Sequence, residues 1–218
     1  MKQKTLFITA AAVLLAVFVA AAVIYKNQKT GEAVQSAQRN GDLLLRAHAP
    51  TLGNADAPVT IVEFFDPACE TCAKFYPLVK KMMAENPEKI RLVLRYAPFH
   101  PGSDKVVAVL EAARKQGKYW LVLETLLATQ SEWAPDHTAH VELVWKPLER
   151  IALNLEQMQF DMTSPEIAAI IAQDMADVRE LKIKQTPEYF VNRTPLVNFG
   201  YEPLKQLVDN ALKAAERK

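Results

Sequence analysis

The chain has 218 residues, 50% of them hydrophobic, enough to bury one full core. Its 26 Lys and Arg nearly cancel its 25 Asp and Glu, and no basic stripe interleaved with aromatics runs along it, which excludes a surface built for a phosphate backbone and with it nucleic acid as an expected partner. Two cysteines are too few for a disulfide scaffold, and a bridge closing so short a loop as Cys69-Glu70-Thr71-Cys72 removes little unfolded-chain entropy, so the pair is better explained by reactivity than by stapling.

Residues 5–25 carry no charge and are almost wholly apolar, with Lys2 and Lys4 before them and Lys26 and Lys29 after. The run matches the ~20 residues that cross a bilayer core and exceeds the ~7–15 of a cleaved signal's apolar region, so residues 1–25 are read as a retained transmembrane anchor. Small residues at Ala20-Ala21-Ala22 leave open a signal segment cleaved after Ala22. Either way the N-terminal lysines stay cytoplasmic and the rest of the chain is exported. Residues 26–42 read as a polar tether, and the globular domain is expected over 43–218.

Leu43-Leu44-Leu45 suggests a short edge strand, and the stretch from Pro50 to Pro58 a turn. Val59–Phe65 is a β-branched and aromatic run of strand length, broken by Asp66-Pro67-Ala68. From Cys69 the pattern turns helical, with Phe75, Leu78, Val79, Met82 and Met83 three or four apart; Pro77 predicts a kink and Asn86-Pro87 the end. Ile90–Tyr96 alternates as a second strand, parallel to the first through a right-handed crossover. An all-helical insert is predicted over about 103–184: a helix over 106–118 capped by Ser103 and Asp104, another over 119–129, another over 141–153 containing Pro147, and one opened by Ser164, Pro165 and Glu166. Strands over 188–192 and 196–199, joined by Arg193-Thr194-Pro195, and an amphipathic helix over 202–217 complete the chain.

The Cys69/Cys72 pair falls where a strand gives way to a helix. Backbone N–H groups and the dipole at a helix start favour a thiolate, so Cys69 is the candidate nucleophile and Cys72, shielded behind it, the resolving thiol. The charge of Glu70 should oppose that thiolate and make the pair a milder oxidant than one with a basic insert. Thr71 reads either as a weak donor to a sulfur or as a solvent-facing hydroxyl. Glu63 is an acid in an apolar strand; it is either a buried group exchanging a proton with Cys72 or a residue on an exposed face. Half a zinc site has the same Cys-x-x-Cys spacing, so a copper or zinc carrier using the two thiolates is the alternative function, with His48, His100, His137 and His140 as the histidines such a site would recruit. A tethered scaffold is the third reading.

The stretch Gly53-Asn-Ala-Asp-Ala-Pro-Val-Thr-Ile-Val-Glu-Phe-Phe-Asp66, the cysteine pair, the helical insert after the second strand, Thr186-Pro187 and the ending Asn198-Phe-Gly-Tyr-Glu-Pro-Leu together resemble the DsbA-like thioredoxin-fold proteins of bacterial envelopes, over roughly 43–215. The resemblance implies an α/β thioredoxin-like fold with an all-helical insertion, a cis-proline loop at Thr186-Pro187 that faces the cysteines and binds extended peptide, and Glu63 in the family's buried acid position. The cysteine chemistry and the resemblance together lead to the expectation of disulfide exchange with envelope proteins at the periplasmic face of the inner membrane, with a membrane redox partner, an apolar docking surface from the insert, and no diffusible cofactor. Two departures matter. Glu-Thr stands where the best-known oxidases carry Pro-His, and threonine before the proline is similar to the isomerase and reductase relatives. Those isomerases dimerise through a separate N-terminal domain for which residues 26–49 are too short, so a monomer is expected; the direction of electron flow stays open.

Overall fold

The structure, a computed structural model, describes residues 41–217 together with scattered residues between 14 and 28. Most of the expected anchor, its cleavage point after Ala22 and nearly all of the tether lie outside the described residues. Among the described residues no helix is long and apolar enough to cross a membrane.

The triple leucine does not form a strand: Gly41–Leu44 is a helical turn (α1) that buries Leu44, and the edge strand is Thr51–Leu52 (β1), inside the stretch expected as a turn. At Gly53 the backbone is left-handed, and a Cβ there would come within 2.7 Å of the Ile90 carbonyl, so a residue without one is required where β1 leaves the sheet. Val59–Phe65 (β2) and Ile90–Tyr96 (β3) form as predicted, buried almost throughout, with helix Glu70–Glu85 (α2) between them. Pro77 sits inside α2 without ending it, and Asn86 closes the helix.

Between β3 and the next strand the chain is helical: Ser103–Lys115 (α3), Tyr119–Ala128 (α4), Gln130–Trp133 (α5), Trp145–Leu148 (α6), Leu155–Asp161 (α7) and Pro165–Glu180 (α8). The long helix expected over 141–153 is broken into the 3-10 turn Val141–Leu143 and α6. Pro147 tolerates only the first turn of a helix, because its ring would strike the carbonyl four residues back. Ser103 does not cap α3 either. Left-handed Gly102 takes the cap position, where a Cβ would collide with the Ala139 carbonyl, and the serine hydroxyl turns to Asp66. By contrast Ser164 caps α8 as predicted, accepting a hydrogen bond from Ile167 N.

Glu188–Val191 (β4) is followed by Thr194–Pro195 (β5), two residues earlier than the predicted second strand. The hairpin loop is Asn192-Arg193, both left-handed, the two-residue geometry that matches strand twist. Asn192 tolerates that backbone and ties the loop to β2, accepting from Thr60 N at 2.8 Å and donating to Pro58 O at 3.1 Å. Tyr201–Ala215 (α9) ends the fold, burying Leu204, Val208 and Leu212.

The strands pair in the order β1-β3-β2-β4-β5, with β2/β3 parallel and the other neighbours antiparallel. Alternation along β2 divides the core. Val59, Ile61 and Phe65 pack with Cys72, Tyr76, Tyr189 and α9, while Val62 and Phe64 pack on the other face with Val178 of α8, Ile183 and Phe190. Glu63 has the parity of the first face, which is the face that carries α2 and the cysteines.

Candidate active site

The carboxylate of Asp66, which ends β2, is fully buried and gathers the turn that follows. It accepts from Ala68 N at 2.9 Å, Phe99 N at 2.7 Å, His100 N at 2.8 Å and the Ser103 hydroxyl, and pairs with His100 Nδ1 at 2.7 Å. From the other side Gln130 Nε2 donates to Pro67 O at 2.7 Å and Cys69 O at 3.1 Å. These anchors leave Cys69 at the N-cap of α2, its sulfur accepting from Cys72 N at 3.4 Å. Both cysteines are free thiols, Cys69 5% exposed and Cys72 fully buried.

Burial and hydrogen bonding separate the two sulfurs. The Cys69 pKa falls from the usual 9.0 to about 6, chiefly because the Cys72 thiol donates to its sulfur, with the backbone N–H groups of Cys72 and Thr71 and the Thr186 hydroxyl adding to this against desolvation. The helix start thus helps through its amides, while the second thiol helps more. The Thr186 carbonyl, 3.3 Å from the same sulfur, accepts only from the thiol form, so the two groups of Thr186 favour opposite states and the net shift shows that the donors to the thiolate win. Cys72 moves the other way: desolvation, then its hydrogen bond to Cys69 and the charges of Glu63 and Cys69, push its thiol well up.

Glu63 lies on no exposed face. It is fully buried, and desolvation raises its carboxyl from 4.5 to about 8. Across the β2/β4 ladder it sits directly opposite Tyr189. The Tyr189 hydroxyl is near enough to moderate the shift, yet neither it nor the Glu63 carboxylate oxygens reach hydrogen-bond geometry with any described group. Glu70 points to solvent and pairs with Lys74 at 3.4 Å. Thr71 contributes its amide rather than its hydroxyl.

The Thr186-Pro187 peptide is cis, and Thr186 lies against Cys69 as the resemblance implied. Beside it Pro187, Leu196, Val197 and Phe199 line a groove, with Phe199 tilted against Phe75 of α2 at 4.6 Å between centroids. A second groove, between Glu70, Ala73 and Lys74 of α2 and Leu127, Ala128 and Ser131, brings the insert to the other side of the cysteines. The histidines are dispersed: His48 pairs with Asp174, His140 with Glu142, and His100 with Asp66, the last stacked with His137 at 5.3 Å. Among the described residues no group of three or more His, Cys, Asp or Glu side chains could hold a metal ion. Asp66, Gln130, Ser103 and Tyr189 also build the site, and the sequence alone does not mark them as doing so. Only Asp66 left a trace there, as the polar end of an apolar strand.

Residues 46–210 match the family described as thioredoxin. A probable disulfide bond formation protein D of Bacillus anthracis is 30% identical over 173 residues, which is 75% of this chain and 78% of that protein. The Na(+)/H(+) antiporter NhaA 3 of Salinispora tropica is 32% identical over 167 residues, 75% of this chain but 24% of the antiporter, so the chain spans about a quarter of that relative's length. The crystal structure of a thioredoxin-like oxidoreductase from Silicibacter pomeroyi is 34% identical and superposes with a TM-score of 0.67 over 78% of this chain and 96% of that one. The family match runs from before β1 into α9 rather than over the two-cysteine turn alone, and the chain therefore belongs to the thioredoxin family, with a disulfide bond formation protein among its relatives.

Proposed function

We propose that this chain is an exported thiol-disulfide oxidoreductase that exchanges disulfides with envelope proteins, Cys69 attacking and Cys72 resolving. The observation that carries the reading is the split between two sulfurs one helical turn apart, one drawn toward the thiolate near neutrality and the other kept a thiol in a dry pocket.

In the reducing direction the Cys69 thiolate attacks a substrate disulfide; the Cys69–substrate bond forms as the substrate's own S–S bond breaks, and one substrate sulfur leaves as thiolate and takes a proton. Cys72 gives its proton to the Glu63 carboxylate, attacks the Cys69 sulfur and expels the second substrate thiolate. The chain is left with a Cys69–Cys72 disulfide and the substrate has gained two electrons. Oxidation of a substrate dithiol is the same path reversed. A carboxyl titrating near 8 serves both, because at neutral pH each of its protonation states is within reach. Thr186 and Pro187 border the groove where an extended peptide reaches Cys69, and the insert supplies the opposite wall. Residues 1–25 anchor this monomer at the periplasmic face of the inner membrane, or leave it in the periplasm if cleaved after Ala22, where a membrane redox protein resets the pair; no diffusible cofactor takes part.

The test is the pH dependence of Cys69 alkylation in the reduced full-length protein. Its midpoint is expected near 6, against ~8.5 for a free thiol, and Cys72→Ser is expected to trap mixed disulfides with envelope proteins in cells. An ordinary midpoint with no trapped partner rules the proposal out.

A further inference from the structure

Two buried polar side chains opposite each other in a β-ladder usually bond to one another or to a third group, since an unpaired polar group in an apolar interior costs free energy. Glu63 and Tyr189 are such a pair, both fully inaccessible, yet all three of their side-chain oxygens lack a partner among the described residues. Tyr189 comes to the acid from β4, two residues after Pro187, while Cys72 comes to it from α2. Electrostatically the three form one group: Cys72 feels the charge of Glu63, and Tyr189 feels the charges of both.

We propose that Tyr189 is a positioning residue for the resolving step, its buried hydroxyl turning to donate to the Glu63 carboxylate in the state that is about to accept the Cys72 proton. The inference rests on the reading of Glu63 as that acceptor. A carboxylate in this pocket has lost its water, and the phenol is the donor placed to replace it. When the proton arrives, the carboxyl is neutral and the hydroxyl is released, so one bond weights the acid toward its receptive form without fixing it there. The direction of the Tyr189 contribution, which lowers the Glu63 pKa against the larger effect of burial, agrees with this. Tyr189→Phe therefore leaves fewer molecules holding the carboxylate at neutral pH, about tenfold fewer for each pH unit of upward shift.

The experiment follows reduced full-length protein reacting with glutathione disulfide, with acid quench and mass spectrometry to separate the Cys69–glutathione adduct from the Cys69–Cys72 disulfide. For Tyr189→Phe, adduct formation is expected within about twofold of the parent, while adduct resolution slows about threefold to tenfold at neutral pH and its pH midpoint moves upward. Replacing Tyr189 with 3-fluorotyrosine, a stronger donor of nearly the same size, is expected to move the midpoint downward. Equal slowing of both steps, or a resolution midpoint that neither variant moves, overturns the proposal. Glu63→Gln distinguishes the two assignments: if it leaves the resolution midpoint in place, the acceptor role of Glu63 fails; if it abolishes the midpoint while the Tyr189 variants do not shift it, only the role of Tyr189 fails.

Discussion

A carboxyl whose folded-state pKa lies above its unfolded value binds its proton more tightly in the native protein, so Glu63 is harmless to stability in acid and increasingly costly as pH rises through 4.5 toward about 8. At 1.36 kcal/mol per pH unit the full cost is on the order of 5 kcal/mol. Glu63→Gln is accordingly expected to raise the denaturation midpoint at pH 8 by far more than at pH 4, with slower exchange. A stability gain that is the same at both pH values would show that the acid is not titrating in its burial site. The oddity of an acid among Val62, Phe64 and Phe65 is legible in the sequence, which leaves its burial open. The residue opposite it is not legible. Tyr189 lies far along the chain and meets Glu63 only through the β2/β4 register, just as Gln130 meets Cys69 O only once α5 has packed beneath the turn.

At the scale of elements, periodicity located β2, α2, β3, α8 and α9, whose hydrophobic patterns are long and uninterrupted. It failed where backbone geometry overrode pattern, at Pro147, at Gly102 and in the hairpin after β4. The hairpin shows the reason most clearly. Arg193-Thr194-Pro195 looked like the loop because it holds the proline, but Asn192 can take a left-handed backbone and bridge to β2, which moves the loop one residue earlier and shortens the strand that follows. Asn192→Ala is expected to destabilise the fold by about 2 kcal/mol, from two lost hydrogen bonds and a disfavoured φ, while leaving the Cys69 alkylation midpoint unchanged. Chemical denaturation with parallel alkylation checks both halves. A shifted midpoint would mean that the hairpin transmits to the site.

Across the molecule, a buried charge network holds together parts the sequence order keeps apart. Arg95 of β3, wholly buried, pairs with Asp174 and Asp177 of α8 at 2.7 and 2.6 Å; those aspartates also take His48 at 2.6 Å and Arg46 at 2.7 Å. Burial alone would raise the Asp177 carboxyl, but the two arginines hold it below its ordinary range. Asp174 also accepts from Tyr96 N, so one side chain joins the sheet, the insert and the segment that leads in from the N-terminus. Removing it leaves a buried guanidinium with half its partners, and Asp174→Ala is expected to cost about 3–5 kcal/mol in equilibrium unfolding. A loss below about 1 kcal/mol would mean that water or Asp177 takes over. None of this was visible in the sequence, where Arg95 is one charge in an alternating strand and Asp174 one acid on an amphipathic helix.

Placing the thiol-holding sulfur directly behind the ionised one also bears on survival under peroxide. A hydroperoxide attacks the thiolate, so the damage begins at Cys69, as a sulfenic acid. Because Cys72 stands within one helical turn and shares a hydrogen bond with that sulfur, it can displace hydroxide and close the ring before a second oxygen is added. Brief peroxide treatment of the reduced protein should therefore yield the intramolecular disulfide, recoverable by dithiothreitol, whereas Cys72→Ser should accumulate irreversible sulfinic acid at Cys69, the two products differing by mass.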